Sequence, residues 1–245
     1  MEQKIYIGTS GWHYKHWMDN FYPPGVKSKG FTDYYIRFFR TVEINNSFYK
    51  LPSFETFANW RAAVPDDFIF AVKASRYITH MKKLKEPQEG LSRLFNNINA
   101  LEEKLGPILF QLPPMWKLNL ERLRDLLRLL PPYYRYTFEF RHHSWYTPEV
   151  LDLLRQHNAA FCIYELEYHL SPLEVTADFV YVRLHGPEGK YAGSYSESAL
   201  QGWANQCMTW QQAGLDVYFY FDNDQMGYAA FNAMRLQQLV QEQNM

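Results

Sequence analysis

FEFRHHSWY, residues 138–146, passes from an apolar strand to a charged strand end within four residues. Phe138 and Phe140 suit the covered side of a sheet. Glu139 and Arg141 fall on the other side, because side chains alternate along a strand. Burying a charge without a partner costs several kcal/mol. A strand that carries such groups must pair them or use them. Whether Glu139 and Arg141 mark one strand end or a plan of the whole chain depends on whether the pattern recurs.

It recurs. Eight runs read as strands: KIYIG (4–8), TVEIN (41–45), FIFAVKA (68–74), PILFQL (107–112), YTFEFR (136–141), AFCIY (160–164), FVYVRLHG (179–186) and DVYFYFDN (216–223). Each is rich in β-branched or aromatic residues and closes on turn or polar residues. Their apolar sets, such as Val42 with Ile44, Phe110 with Leu112 and Phe219 with Phe221, share one parity. The opposite parity collects Ser10, Glu43, Asn45, Lys73, Gln111, Glu139, Arg141, Tyr164, Arg183, His185 and Asp222. In a barrel the inward set opens into the active site at the C-terminal strand ends. The expectation is therefore a polar site built from several strand ends. A self-neutralised ion network filling that end of the barrel is the structural alternative.

Helical patterns lie between most of the runs. Leu120, Leu123, Leu126, Leu127 and Leu130 recur at helical spacing behind Asn119 as N-cap. Thr147-Pro148-Glu149 reads as N-cap, first-turn proline and first-turn acid. Leu200, Trp203, Cys207 and Trp210 form a stripe that Gly214 ends, which makes Cys207 a core residue. ELEYHLSPLEVTAD, before the seventh run, is too short and broken for a full helix. Alternating strands and helices argue for parallel strands. Eight units in 245 residues fit one α/β domain over residues 1–245, a single-domain TIM-like (β/α)8 barrel with its sixth βα unit degenerate. An open doubly wound sheet is the alternative, but no GxGxxG follows the first run.

Bulk properties narrow the partners. Formal net charge is −1, so any anion must be held by a local patch rather than by the whole molecule's field. The opening MEQKIYIGTSGW carries no leader pattern, and no apolar run approaches membrane-spanning length, so a cytoplasmic protein without a membrane partner is expected. Cys162 and Cys207 are the only cysteines, which suits reduced thiols rather than a disulfide framework or a metal knuckle. Aromatic residues make up 18% of the chain, enough either to pack a core with rings or to line an aromatic-rich cleft.

Seven motifs, in order, resemble those of the bacterial and archaeal family called domain of unknown function 72, or YecE-like. They are IGTSGWHYKHW with FYPP, VEINNSFYKLP followed by Trp60, FAVKASRYITH, PILFQLPP, FEFRHHSW, YVRLHG and YFDND, and they span nearly the whole chain. The resemblance implies a TIM-like barrel and brings no activity with it. At the level of fold alone, it links the chain by analogy to metal-dependent isomerases and endonucleases of the xylose isomerase-like superfamily.

Several chemistries compete for the inward residues. Glu43, Glu139, His185 and Asp222 could ligate a divalent ion, but Lys73, Arg141 and Arg183 share their parity and repel cations. No HxH or HExxH spacing occurs, so no metal ligand is assigned and no cofactor is predicted, with a divalent metal as the minor alternative. Ser10 lies in no GxSxG elbow, which argues against covalent catalysis. For acid–base chemistry, a less paired Glu43 would hold its proton longer than a Glu139 neutralised by Lys73 or Arg183. Lys190 and the glycines of PEGKYAGSYS suit anion binding after the seventh run. The basic loop SRYITHMKKLKEPQEG and the ring-bearing loops at Trp12–Tyr22 and Phe48–Tyr49 suit a single strand or a flipped base, though a solvated lysine face explains the lysines as well.

The expected function is a hydrolase- or isomerase-type enzyme that binds a small anionic, ring-containing substrate: a phosphorylated sugar, a nucleotide or nucleic acid. A ligand- or nucleic-acid-binding module without turnover is the alternative. Glu43, Lys73, Glu139, His185 and Asp222 are the candidate catalytic residues. Ser10, Trp12, Asn45, Tyr49, Gln111, Arg141, Tyr164, Arg183 and Asn223 are the candidate ligand contacts. Arg141 is expected at a solvent-facing rim, so that Arg141→Ala costs within roughly 1 kcal/mol of stability.

Overall fold

The structure is a computed structural model and describes residues 4–243. In chain order the strands are β1 (Ile5–Thr9), β2 (Thr41–Ile44), β3 (Ile69–Lys73), β4 (Leu105–Gln111), β5 (Tyr136–Glu139), β6 (Ala159–Leu166), β7 (His169–Leu170), β8 (Phe179–Leu184) and β9 (Asp216–Phe221). The helices are α1 (Phe31–Tyr35), α2 (Asn46–Tyr49), α3 (Phe54–Ala62), α4 (Gln88–Ile98), α5 (Leu120–Leu129), α6 (Pro148–Gln156), α7 (Glu197–Gln212) and α8 (Tyr228–Gln243). The two-residue β7 aside, eight parallel strands alternate with helices, and the fold is α/β and TIM-like. Each of the eight expected runs becomes one of these strands. β7 turns back antiparallel on β6, with Glu165 opposite Leu170, and residues 171–178 form neither helix nor strand. The residues read for a leader are described from Lys4 onward; 1–3 lie outside the described residues.

Contacts gather the chain into two compact units. The first runs to Glu43 and takes in Ile163–Ser171 and the chain from Asp178 on; the second is Ile44–Cys162 with Pro172–Ala177.

In the first unit β1 and β8 flank β9 in parallel. Thr9 and Leu184 both face Phe221 in register. Ser10, one residue beyond β1, bridges Glu43 of β2. Gly8 permits this closeness, since a Cβ there would lie 2.4 Å from the Thr41 carbonyl oxygen. α7 is capped by Ser196, whose hydroxyl accepts from the Ala199 N–H at 3.2 Å, and it buries Cys207 as expected.

In the second unit β3, β4, β5 and β6 pair in parallel, with Gln111 opposite Glu139. The helix signals act where the sequence puts them. Asn119 accepts from the Arg122 N–H at 3.0 Å and starts α5, which buries Leu123, Leu126 and Leu127. Thr147 accepts from the Val150 N–H at 3.4 Å, and Pro148 opens α6 where its missing N–H costs nothing. No helix among the described residues is long and apolar enough to cross a membrane.

Candidate functional site

The first unit builds a network of ionisable groups at the ends of β2, β8 and β9. Its centre is Arg183, whose residue is wholly buried. The Arg183 Nε donates to Glu43 Oε2 at 2.9 Å, and Nη2 donates to Glu43 Oε1 at 2.8 Å and to Asp222 Oδ2 at 3.1 Å. Ser10 Oγ donates to Glu43 Oε1 at 2.7 Å, and the Tyr181 hydroxyl donates to Glu43 Oε2 at 2.6 Å. The expectation of a less paired Glu43 is thereby corrected. A planar guanidinium grips its carboxylate with two parallel donors, and two hydroxyls fill further lone pairs. Such a carboxylate is an anchor, since little of it is left to receive a substrate's proton. Asp222 is 8% exposed and shares the same guanidinium.

The neighbours of His185 settle its tautomer. Arg183 Nη1 lies 3.3 Å from His185 Nε2, and a guanidinium N–H can only donate. Nε2 therefore accepts, and the proton of the neutral ring sits on Nδ1, which lies 2.9 Å from Asp222 Oδ2. His185 thus steadies Asp222 on one side while Arg183 holds it on the other. The Tyr164 ring packs against His185 with centroids 6.4 Å apart.

Further groups of this unit surround Asp222. The Tyr14 hydroxyl donates to the Ser10 carbonyl at 2.5 Å. Burial, followed by the charges of Asp222, Asp224 and Glu43, holds its proton far more tightly than an ordinary tyrosine's. Asp224 is pushed up to about 6, first by burial and then by Asp222, while His16, with Nε2 3.4 Å from Asp224 Oδ2, pulls it back. Asn223 is buried; its Nδ2 donates to the Gly193 carbonyl at 2.8 Å and to Asn232 Oδ1 at 2.9 Å. Its Oδ1 has no hydrogen-bond partner among the described residues.

The glycine loop after β8 is committed to its own structure. Gly186 has φ +111°, a Cβ there would sit 2.2 Å from the Ala192 carbonyl oxygen, and its N–H donates to the Tyr195 hydroxyl at 3.0 Å. Trp12 is buried with its indole N–H on Thr32 Oγ1 at 3.0 Å. Trp17, Phe21 and Tyr22 are also buried, and Tyr22 stacks on Phe31 at 3.9 Å. The long ring-bearing loop after β1 is therefore core, which corrects its reading as a row of exposed stacking rings.

The second unit gathers a different set. Glu139, wholly buried, is ion-paired with Arg141, a partner that the sequence reading did not assign to it. The Arg141 side chain keeps 9% of its surface in solvent, so the expected rim residue is largely buried against Glu139. The Cys162 thiol lies 3.8 Å from Glu139 Oε2. Gln111 Nε2 donates to the Leu112 carbonyl at 3.2 Å. Lys73 Nζ stands 4.5 Å from the centroid of the Phe48 ring, a cation–π contact. His80 packs edge-on against that ring at 4.9 Å. Tyr49, beside Phe48, is 74% exposed, and Asn45 Oδ1 is buried with no hydrogen-bond partner among the described residues. Burial comes first, followed by the charges of Lys73, Arg76 and Arg141, in lowering His80 to about 4; Glu139 opposes them.

Tyr181 has no role in the sequence reading, and His80 has one only as part of the basic loop SRYITHMKKLKEPQEG. Tyr181 shares the parity of Arg183, a usable signal that its aromatic character hid. His80 lies in a loop, where parity says nothing. Among the described residues, no group of three or more His, Cys, Asp or Glu side chains is placed to hold a metal ion.

The comparisons with known proteins agree on the family. The family described as "Protein of unknown function DUF72" matches residues 6–245, and the chain belongs to it. UPF0759 protein YunF of Bacillus subtilis is 25% identical over 273 residues, covering 96% of this chain and 94% of that protein. UPF0759 protein YecE of Escherichia coli K12 is 29% identical over 143 residues, 58% of this chain and 50% of that protein. A crystal structure of a DUF72 family protein from Thermotoga maritima covers 98% of this chain and all of its own, at 31% identity and a TM-score of 0.88. Another from Enterococcus faecalis, at 20% identity and a TM-score of 0.83, covers 97% of this chain and 95% of its own and shares the fold.

Proposed function

We propose that this chain is an enzyme acting on an anionic, ring-containing substrate, of the class of phosphorylated sugars, nucleotides or nucleic acid, held by the second unit. The observation that carries the reading is that Lys73 and His80 share the Phe48 ring, next to the exposed Tyr49, with the charges of Arg76 and Arg141 also acting on His80. Guanidinium groups match phosphate oxygens with paired donors, and an ammonium adds a point charge. An exposed tyrosine ring stacks on a base or sugar ring, worth about 1–3 kcal/mol for a base. Asn45 Oδ1 and Gln111 are the further contacts this reading uses, and Lys73 is its candidate for proton transfer.

The first unit's network is a separate candidate site, in which Asp222 is the acid–base group because it keeps contact with solvent. Glu43 and His185 are positioning residues on this reading: one anchors Arg183, and the other fixes Asp222. Ser10, Trp12, Tyr164 and Asn223 then act through packing and hydrogen bonds. The reading calls on no cofactor. The buried thiols of Cys162 and Cys207 suit a reducing compartment such as the cytoplasm.

A binding module without turnover is the second reading, favoured by the filled hydrogen-bond capacity of Glu43. Calorimetric titration with a panel of phosphomonoesters, sugar phosphates and nucleotides, paired with turnover assays on the same panel, separates the two. Binding that Lys73→Met weakens, with turnover of the same ligand, supports the enzyme. Binding without turnover supports the module, and no binding across the panel refutes both.

A further inference from the structure

The segment after β3 places a histidine in the cationic cluster by an unusual turn. Residues Tyr77–Met81 form a π-helical turn, and the Lys82 N–H donates to the Tyr77 carbonyl at 2.9 Å. Such turns hold one residue more than an α-turn and recur at functional sites. Gly90 of α4 allows the turn to lie close, since a Cβ there would stand 2.7 Å from Ile78 Cγ1. The chain then runs through Lys83, Leu84 and Glu86, all with positive φ, and Leu84 is buried. Arg122 Nη1 donates to the Lys83 carbonyl at 3.2 Å. The basic loop is therefore a built element, with Lys83 and Lys85 exposed on it.

His80 is half-buried, and its Nδ1 lies 2.9 Å from Thr79 Oγ1. Thr79 Oγ1 also lies 3.5 Å from the Ser75 carbonyl, to which its hydroxyl can donate. With the hydroxyl turned that way, Thr79 accepts from Nδ1–H, and Nε2 is the nitrogen left for a ligand. The Phe48 ring supports both the imidazole and the Lys73 ammonium. The charged groups acting on His80 are Lys73 from β3, Arg76 from the following loop, and Glu139 and Arg141 at the end of β5.

We propose that His80 takes up a proton from solvent when an anion binds beside Lys73, Arg76 and Arg141, and then donates Nε2–H to that anion. The proposal rests on the anion-binding reading above and deepens it. Burial does most to keep the ring neutral, and the cations that would hold a ligand add to it. An arriving anion offsets their field and supplies an acceptor, and both changes favour the protonated ring. By reciprocity, protonation must strengthen anion binding by the factor that binding strengthens protonation. The site thus prefers a doubly charged group, such as a phosphate monoester, whose charge the recruited proton helps to balance.

Inorganic sulfate is the probe, because it keeps both charges over the working range. The His80 ring resonances are followed by NMR from pH 3 to 8, with and without saturating sulfate. The expected result is a midpoint near 4 without sulfate that rises by one unit or more with it. Sulfate affinity then rises about tenfold per unit of that shift as pH falls between the two midpoints. In His80→Asn, sulfate still binds, but this pH dependence disappears. Sulfate binding with an unmoved His80 midpoint, or a pH dependence that survives in His80→Asn, overturns the proposal and leaves the anion-binding reading standing. No sulfate binding at any pH overturns both.

Discussion

Replacing Arg183 by methionine tests whether the buried network of the first unit is held by one cation. Arg183 is wholly buried and donates to both oxygens of Glu43 and to Oδ2 of Asp222. Methionine fills much of the volume and makes none of these bonds. Glu43, itself wholly buried, then keeps the hydroxyls of Ser10 and Tyr181 but loses this countercharge. Breaking a buried pair from one side costs about 3–5 kcal/mol. In a chain of this size each kcal/mol lowers the melting temperature by about 2–4 °C, so the loss is on the order of 6–20 °C. The double variant Arg183→Met/Glu43→Gln removes the stranded charge along with its partner. It should be more stable than the sum of the two single losses by about 1–3 kcal/mol, as expected of groups in direct contact. Arg183→Lys is no rescue, because a point charge cannot reproduce the fork. Urea unfolding at pH 7 measures the wild type and all four variants. The reasoning fails if Arg183→Met loses less than about 1 kcal/mol, or if the double variant equals the sum of the singles.

Arg141→Ala should destabilise by about 3 kcal/mol, well above the small loss expected of a rim residue, because it strands the buried Glu139 carboxylate; urea unfolding checks this. Asp224 has a folded pKa of about 6, above its unfolded value, so the folded state holds its proton more tightly; stability falls as pH rises through that window, and Asp224→Asn should flatten the fall, by at most about 3 kcal/mol. His80 has the opposite sign: its folded pKa near 4 lies below the unfolded one, so stability falls on acidification from about 6.5 to 4, and thermal melts of His80→Asn should lose less over that range. Gly90→Ala should shift the His80 ring resonances, because the new methyl meets Ile78 in the π-turn; unchanged resonances would show that the turn yields elsewhere.

How much of this was legible in the sequence follows from what each feature depends on. Alternation along a strand depends only on backbone geometry, so the shared parity of Glu43, Arg183 and Asp222 could be read directly, and these three residues do meet. Which carboxylate meets which cation depends on register between strands, and strand parity carries none of that information. Ser10 meets Glu43 because β1 and β2 pair at that step, and Arg141 meets Glu139 because two residues of one strand end point the same way. The first of these is a long-range fact, invisible locally. The second lies within FEFRHHSWY itself, where strand alternation alone sets Arg141 beside Glu139. Aromatic character misled in both directions. Tyr181 has no role in the sequence reading although its hydroxyl serves Glu43, while the loop rings Trp12 and Tyr22, read as suited to a ligand, are packed. His80 lay beyond any period-based reading, because a π-turn has no sequence repeat of its own. Its signal was the company it keeps: a histidine four residues from Arg76, in a loop that leaves a strand ending in Lys73. A histidine set among cations is a poor base when the site is empty and a better donor once an anion arrives. The chemistry proposed for the second unit therefore rests as much on this loop as on its strand ends.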